Sequence, residues 1–206
     1  PEEGGREKAI EAMQRTHRWL LESKEAHLKN PYSAYGYPQA LFGIIQGGSF
    51  EDLREKSTSF ILDLDLDGIA IGGEMIGYDM QKTQAIVRNL IPLLPKDRVR
   101  YTMGLGLRPN DLITAIKEGI DIFDCVAPSR NARHGALYFG ELRKTDDWFE
   151  FSAQNGEDRI LIKKAIFAKD DKPIMENCVC STCKNFSRAY LHYLFKNKSP
   201  AYIHLA

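Results

Sequence analysis

Apolar residues return along this chain in two alternating rhythms. Between residues 6 and 29, Ile10, Met13, Leu20 and Leu21 recur at helical spacing with no interior glycine or proline, which predicts a helix. A loop of tyrosine, proline and glycine closes it, and ALFGIIQGG follows: a continuous apolar run halted at Gln46, Gly47 and Gly48, as expected of a buried strand and a turn. Helical period resumes over residues 50–62 through Phe50, Leu53, Phe60 and Ile61. The unit then repeats. DGIAIGGE (67–74) reads as a strand ending in glycines, and residues 80–94 as a helix through Ile86, Val87, Leu90 and Leu94. RYTMGLG (100–106) is a third strand; residues 110–118 form a helix with Leu112, Ile113 and Ile116 inward and Gly119 as its stop; residues 120–126 are a fourth strand.

Successive strand–helix units with short connections predict a parallel sheet with right-handed crossovers. Such a sheet is either doubly wound and open or closed into an eight-stranded barrel. Each predicted strand ends in a polar or glycine-rich tip: Gln46-Gly47-Gly48, Gly72-Gly73-Glu74, Gly104-Leu105-Gly106 and Asp124. In a barrel these tips converge on one mouth, where active sites sit. No Gly-x-Gly-x-x-Gly opens a helix, which weighs against a dinucleotide fold, so the barrel is preferred, and four strands make half of one. After Phe139 the pattern changes. DWFEFSA and RILIKKAIF alternate like small antiparallel strands, a cysteine cluster follows, and residues 185–196 read as a helix. The chain therefore divides into residues 1–139, half a barrel, and 140–206, a metal-binding subdomain.

With 206 residues, 43% of them apolar, the chain can bury a sizeable core. Its formal charge of zero hides a gradient, because residues 159–206 carry nine Lys/Arg against three Asp/Glu, leaving an acidic body. That basic segment is either a solvated surface or a nucleic-acid contact. No run of about 18 apolar residues and no secretory leader is seen, so a cytoplasmic protein is expected. The polar PEEGG start reads like a cut inside a longer protein.

Asp124 is the centre of the candidate chemistry. A strand carries this carboxylate to its end, and Arg130 and Arg133 follow in what reads as one loop. A carboxylate so placed holds a metal, transfers a proton or attacks an electrophilic carbon, and the arginines suggest a phosphate-bearing substrate. A strand-end acid paired with either arginine is the plainer alternative, while Asp111 and Asp121 read as cap or surface acids and Cys125 as a core thiol. Gln46 can offer an amide in a pocket whose glycines admit a flat ligand, and Met103 an apolar stacking face. In CVCSTC, Cys178, Cys180 and Cys183 crowd three thiols where a disulfide framework would space them widely. A tetrahedral zinc ion is the better reading, with His192 or His204 as candidate fourth ligand.

Together FGIIQGG, DGIAIGGE, RYTMGLG, GIDIFDCVAPSRNARHGALYF and CVCSTCKNFSRAYLHYL, in this order, resemble tRNA-guanine transglycosylase over essentially the whole chain. The resemblance implies the C-terminal part of a (β/α)8 TIM barrel with an inserted zinc-binding subdomain. It implies a homodimeric enzyme that exchanges guanine at the tRNA wobble position for a 7-deazaguanine. Carried over, Asp124 matches the nucleophile that forms a covalent ribosyl ester. Gln46 and the Gly73 backbone match base recognition, Met103 and Gly104 the stacking wall, and Arg130 with Arg133 the tRNA phosphate contacts. Cys178, Cys180 and Cys183 match ligands of Zn2+, whose fourth ligand, a histidine, is expected just beyond Ala206. The acids the family uses for proton transfer and further base recognition are expected upstream of Pro1, so the isolated chain is expected to be inactive. Glu74 and Tyr78 depart from the usual bacterial pattern after the double glycine, which bears on base preference. An accessory tRNA-binding chain of the same family and an archaeal-type enzyme acting at another tRNA position are the alternatives. Half a barrel would also expose sheet edges, favouring self-association.

Overall fold

The computed structural model describes residues 5–73, 77, 79–154 and 156–206; Glu74 and Tyr78 lie outside them. The chain divides into two compact units: Pro1–Gly106 with Thr114–Cys125, and Leu107–Ile113 with Val126–Ala206.

The first unit holds α1 (Gly5–Lys29), β1 (Phe42–Ile45), α2 (Glu51–Leu62), β2 (Gly68–Ile71), α3 (Met80–Leu90), β3 (Val99–Thr102), the C-terminal part of α4 (Pro109–Lys117), and β4 (Ile122–Phe123). The strands form one parallel sheet in the order β1-β2-β3-β4. Helices α2 and α3 lie against the same face. Gly43, Ile45, Ile69, Ile71 and Thr102 alternate onto that face and are nearly all fully buried, beside Leu53 and Ile61 of α2 and Val87 and Leu90 of α3. A Cβ on Gly43 would come within 2.8 Å of Ile61, so the close approach of α2 requires glycine there. The opposite face carries Phe42, Ile44, Ala70, Tyr101 and Ile122 by the same alternation, with the rings of Phe42 and Tyr101 edge to face at 6.4 Å. It is less covered, and Ile122 is 48% exposed.

Two acids pin the register at the strand starts. Asp67 Oδ2 accepts the Leu41 amide at 2.7 Å, and Asp121 Oδ2 accepts the Arg100 amide at 2.9 Å, so Asp121 is an exposed acid that also ties the start of β4 to β3. Asp79 caps α3 by accepting the Gln81 and Lys82 amides, both at 3.1 Å. Gly119 at φ +98° ends the turn after α4, as its sequence position implies. Strand β4 is shorter than the apolar run suggested, because the ladder with β3 covers only Ile122 and Phe123.

The second unit contains α5 (Ala127–Arg133), the antiparallel pair β5 (Ala136–Tyr138) with β8 (Arg159–Leu161), and the antiparallel pair β6 (Gly140–Lys144) with β7 (Phe149–Ala153). Helices α6 (Ser181–Asn185), α7 (Arg188–Lys196) and α8 (Pro200–Leu205) follow. Residues 127–133 are thus a helix where a loop was read, with Pro128 in its first turn, as a helix start tolerates. The single helix expected over 185–196 is broken after Asn185, and Ser187 caps α7 by accepting the Tyr190 amide at 3.2 Å. This unit has its own core of Leu137, Phe139, Ile162, Phe167, Leu191 and Leu194. Among the described residues no helix is long and apolar enough to cross a membrane.

Candidate active site and metal centre

The last ladder row of the first unit reads Ile45, Ile71, Thr102, Phe123 across the four strands. The next residue of each strand is therefore Gln46, Gly72, Met103 and Asp124. The register alone brings three of the residues singled out in the sequence to one rim of the sheet, and Gly73 and Gly104 lie one position further on. By strand alternation this row belongs to the face turned away from the helices.

Each member is held differently. The Gln46 amide N–H donates to Ser57 Oγ of α2 at 3.0 Å, while its side-chain amide makes no hydrogen bond among the described residues. A Cβ on Gly72 would meet Ile44 at 2.8 Å and Met103 Sδ at 3.8 Å, which places the Met103 thioether over Gly72. Gly104, at φ +68°, has nothing among the described residues within 4 Å of where a Cβ would be, while its carbonyl lies close to Gly77.

Asp124 is exposed, and its Oδ1 accepts a short hydrogen bond from the Tyr101 hydroxyl. Sequence reading missed Tyr101, although its signal was there: it lies two residues before Met103, on the same strand face. The bond engages one of the two carboxylate oxygens. It also holds the Tyr101 phenol above its ordinary range, because the hydroxyl proton is bound to a carboxylate, with desolvation adding in the same direction. Arg130 and Arg133, three apart on α5 of the second unit, are both exposed and share one side of that helix.

The sulfurs of Cys178, Cys180 and Cys183 all lie within 4.8 Å of one another. Three thiolates at about 2.3 Å from a tetrahedral metal ion stand about 3.8 Å apart, so the cluster could hold a thiophilic metal ion. Cys180 Sγ accepts the Cys183 amide at 3.4 Å across the start of α6, which holds the Cys180 thiol below its usual range; burial pushes Cys183 up. His192 does not join them. It is buried, and its Nδ1 pairs with the Ile162 carbonyl at 2.7 Å; exposed His204 is likewise outside the group.

A rim of strand ends presenting an amide, glycine backbone, a thioether and a tyrosine-bound carboxylate defines an α/β protein with an acid poised at the carboxyl end of a parallel sheet. The sequence model of the family described as Queuine tRNA-ribosyltransferase matches residues 1–206, and the chain belongs to that family. A Queuine tRNA-ribosyltransferase from Methylobacillus flagellatus is 42% identical over 180 residues, covering 87% of this chain and 42% of that protein. One from Herpetosiphon aurantiacus is 41% identical over 195 residues, covering 95% and 44%, and one from Francisella tularensis subsp. tularensis is 40% identical over 190 residues, covering 92% and 45%. The chain spans less than half the length of these curated relatives.

The raised phenol gives a direct check of the Tyr101–Asp124 bond. Stabilisation by the bond is present below the ordinary tyrosine value of 10.0 and is lost as pH rises through the higher folded value. In ultraviolet difference titration of wild type against Tyr101→Phe, one tyrosinate is expected to appear late. Asp124→Asn is expected to bring it back toward the ordinary value.

Proposed function

We propose that this chain is the nucleophile-bearing part of a tRNA-guanine transglycosylase, and that it acts on the anticodon wobble guanosine in the cytoplasm. The observation that carries the reading is the rim row itself, with a tyrosine-bound Asp124 at one end and, at the other, a Gln46 side chain whose amide makes no hydrogen bond among the described residues. In the longer protein the four parallel strands are half of an eight-stranded barrel, and the sparsely covered sheet face becomes its interior.

The chemistry follows from what the rim offers. With the guanosine flipped out of its stack, an ionised Asp124 oxygen attacks the ribose anomeric carbon. The carbon–nitrogen bond breaks, its electron pair leaves with the base, and a proton restores neutral guanine. An acid outside these 206 residues, expected upstream from the family resemblance, supplies that proton. The result is a covalent ester between Asp124 and the tRNA ribose. An incoming 7-deazaguanine, deprotonated at its attacking nitrogen, displaces the carboxylate and restores Asp124. Two displacements on one carbon need an ionised carboxylate beside an oxocarbenium-like centre, as retaining glycosidases also do. Gln46 and the Gly73 backbone hold the base, while Met103 and Gly104 form its stacking wall. Arg130 and Arg133 bind tRNA phosphates, with the basic segment after Arg159 extending that contact.

Cys178, Cys180 and Cys183 would hold Zn2+, which would order the loop around α6. The fourth ligand is proposed to follow Ala206. Thr182 Oγ1 donates to the Leu205 carbonyl at 2.8 Å, so the chain leaves α8 beside the cysteine loop. Exposed Tyr190, Tyr193 and Val179 of the same unit support association of two copies as a homodimer. A non-catalytic accessory chain is the second reading, and a tyrosine-bound aspartate at the rim favours the enzyme.

Two outcomes test this. Full-length protein incubated with tRNA should give a protein–tRNA band on a denaturing gel. Asp124→Asn should abolish that band and slow base exchange by on the order of a thousandfold or more; an undiminished band removes Asp124 as nucleophile. Metal analysis of the full-length protein should find one zinc per chain, and Cys180→Ser should lower it; a zinc-free wild type contradicts the metal assignment.

A further inference from the structure

Helix α2 carries a charge that its sequence does not advertise. In EDLREKS, Arg54 reads as one more solvated residue of a charged helix, yet its side chain is only 2% exposed. Among the described residues no carboxylate pairs with it. Instead the guanidinium reaches two backbone carbonyls: Nε donates to Gly48 at 2.7 Å, and Nη1 donates to Gly72 at 2.9 Å. These carbonyls belong to the two double-glycine turns that end β1 and β2, the turns that carry Gln46 and Gly73.

The glycines fit around this arginine. At Gly47, with φ +135°, a Cβ would sit 2.7 Å from the Arg54 amide nitrogen and 2.8 Å from its Cγ. At Gly73, with φ +121°, a Cβ would sit 2.7 Å from Nη2. Both turns therefore close on the arginine stem and head, and Arg54 occupies the space that side chains there would need. Among the described residues Nη2 has no hydrogen-bond partner, and burying a charged group with a donor unsatisfied costs free energy. Burial brings the guanidinium down to about 10, so it stays cationic at neutral pH. One helical turn on, Ser57 of the same helix accepts the Gln46 amide at 3.0 Å and pairs with His17 Nε2 at 2.9 Å. α2 thus grips the Gln46 turn at two points and the Gly73 turn at one.

We propose that Arg54 is a positioning residue for base recognition: wedged between the two glycine turns, it sets the spacing of the Gln46 amide and the Gly73 backbone so that both meet the same purine-like base. The proposal rests on the transglycosylase reading, since it presumes that Gln46 and Gly73 are the base contacts. It predicts a split that a merely structural role does not produce. Loss of the wedge misplaces the two base contacts while the tRNA backbone contacts proposed for Arg130 and Arg133 stand.

The test is steady-state exchange of labelled guanine into tRNA by the full-length protein, with KM measured separately for guanine and for tRNA. Wild type must first catalyse the exchange; if it does not, the transglycosylase reading fails irrespective of Arg54. Arg54→Met is expected to raise the KM for guanine about tenfold or more, the loss of charge-assisted hydrogen bonds, with the KM for tRNA within about twofold. Arg54→Lys keeps the charge and stem but not the fork, so it should show the same split at roughly a third of the size. If Arg54→Met does not fold, as judged by thermal melting, Arg54→Lys decides alone. Variants that lose only the folded fraction, with both KM values unchanged, or that raise both KM values together, overturn the proposal.

Discussion

The candidate site depends on one constraint, the register of a parallel sheet. Side chains alternate along a strand, so a slip of one residue in any pairing would move Gln46, Met103 or Asp124 to the helix-covered face and bury it. Here the ladder from Ile45 to Phe123 fixes every strand end on the same row, and Asp67 and Asp121 lock the opposite ends by accepting backbone amides. Helices packed on one face leave the other available for chemistry. That division of labour follows from connecting parallel strands by crossovers of one hand.

Beyond the last row the ladder can no longer hold the chain, and side chains take over. The Gly72 amide still donates to the Ile45 carbonyl at 3.1 Å, the final backbone link between β1 and β2. Past it, Arg54 and Ser57 reach from α2 to the turns, while Tyr101 reaches along its own face to Asp124. Each of these groups gives up solvent to hold a rim residue still, the usual cost of a preorganised site. In the second unit a backbone amide likewise holds a side chain, with the Cys183 amide aimed at the Cys180 sulfur.

Much of this was legible in the sequence because it rests on period and punctuation. Apolar runs ending in glycine gave β1, β2 and β3, the helical spacing gave α1 to α4, and the strand tips gave Gln46, Met103 and Asp124. What escaped depends on burial or on partners distant in the chain. Arg54 sits among charged neighbours, and only packing distinguishes it from Glu55 and Lys56. Tyr101 reads as a strand aromatic until β4 brings Asp124 beside it. His192 looked like a metal ligand because imidazole near thiols suggests one, but Leu191 and Leu194 carry α7 into the core and deliver the ring to a carbonyl. The loop read after Asp124 is helix α5 because Pro128 falls where helices accept proline, a cue outweighed by the surrounding Ser, Asn and Gly.

The proposed carbon–oxygen bond at Asp124 can be located directly. The protein–tRNA complex of the full-length protein would be trapped, digested with ribonuclease and trypsin, and read by tandem mass spectrometry. A nucleotide is expected on the peptide 118–130, which contains Asp124, with fragmentation placing it on that side chain. A nucleotide attached to any other peptide would contradict it.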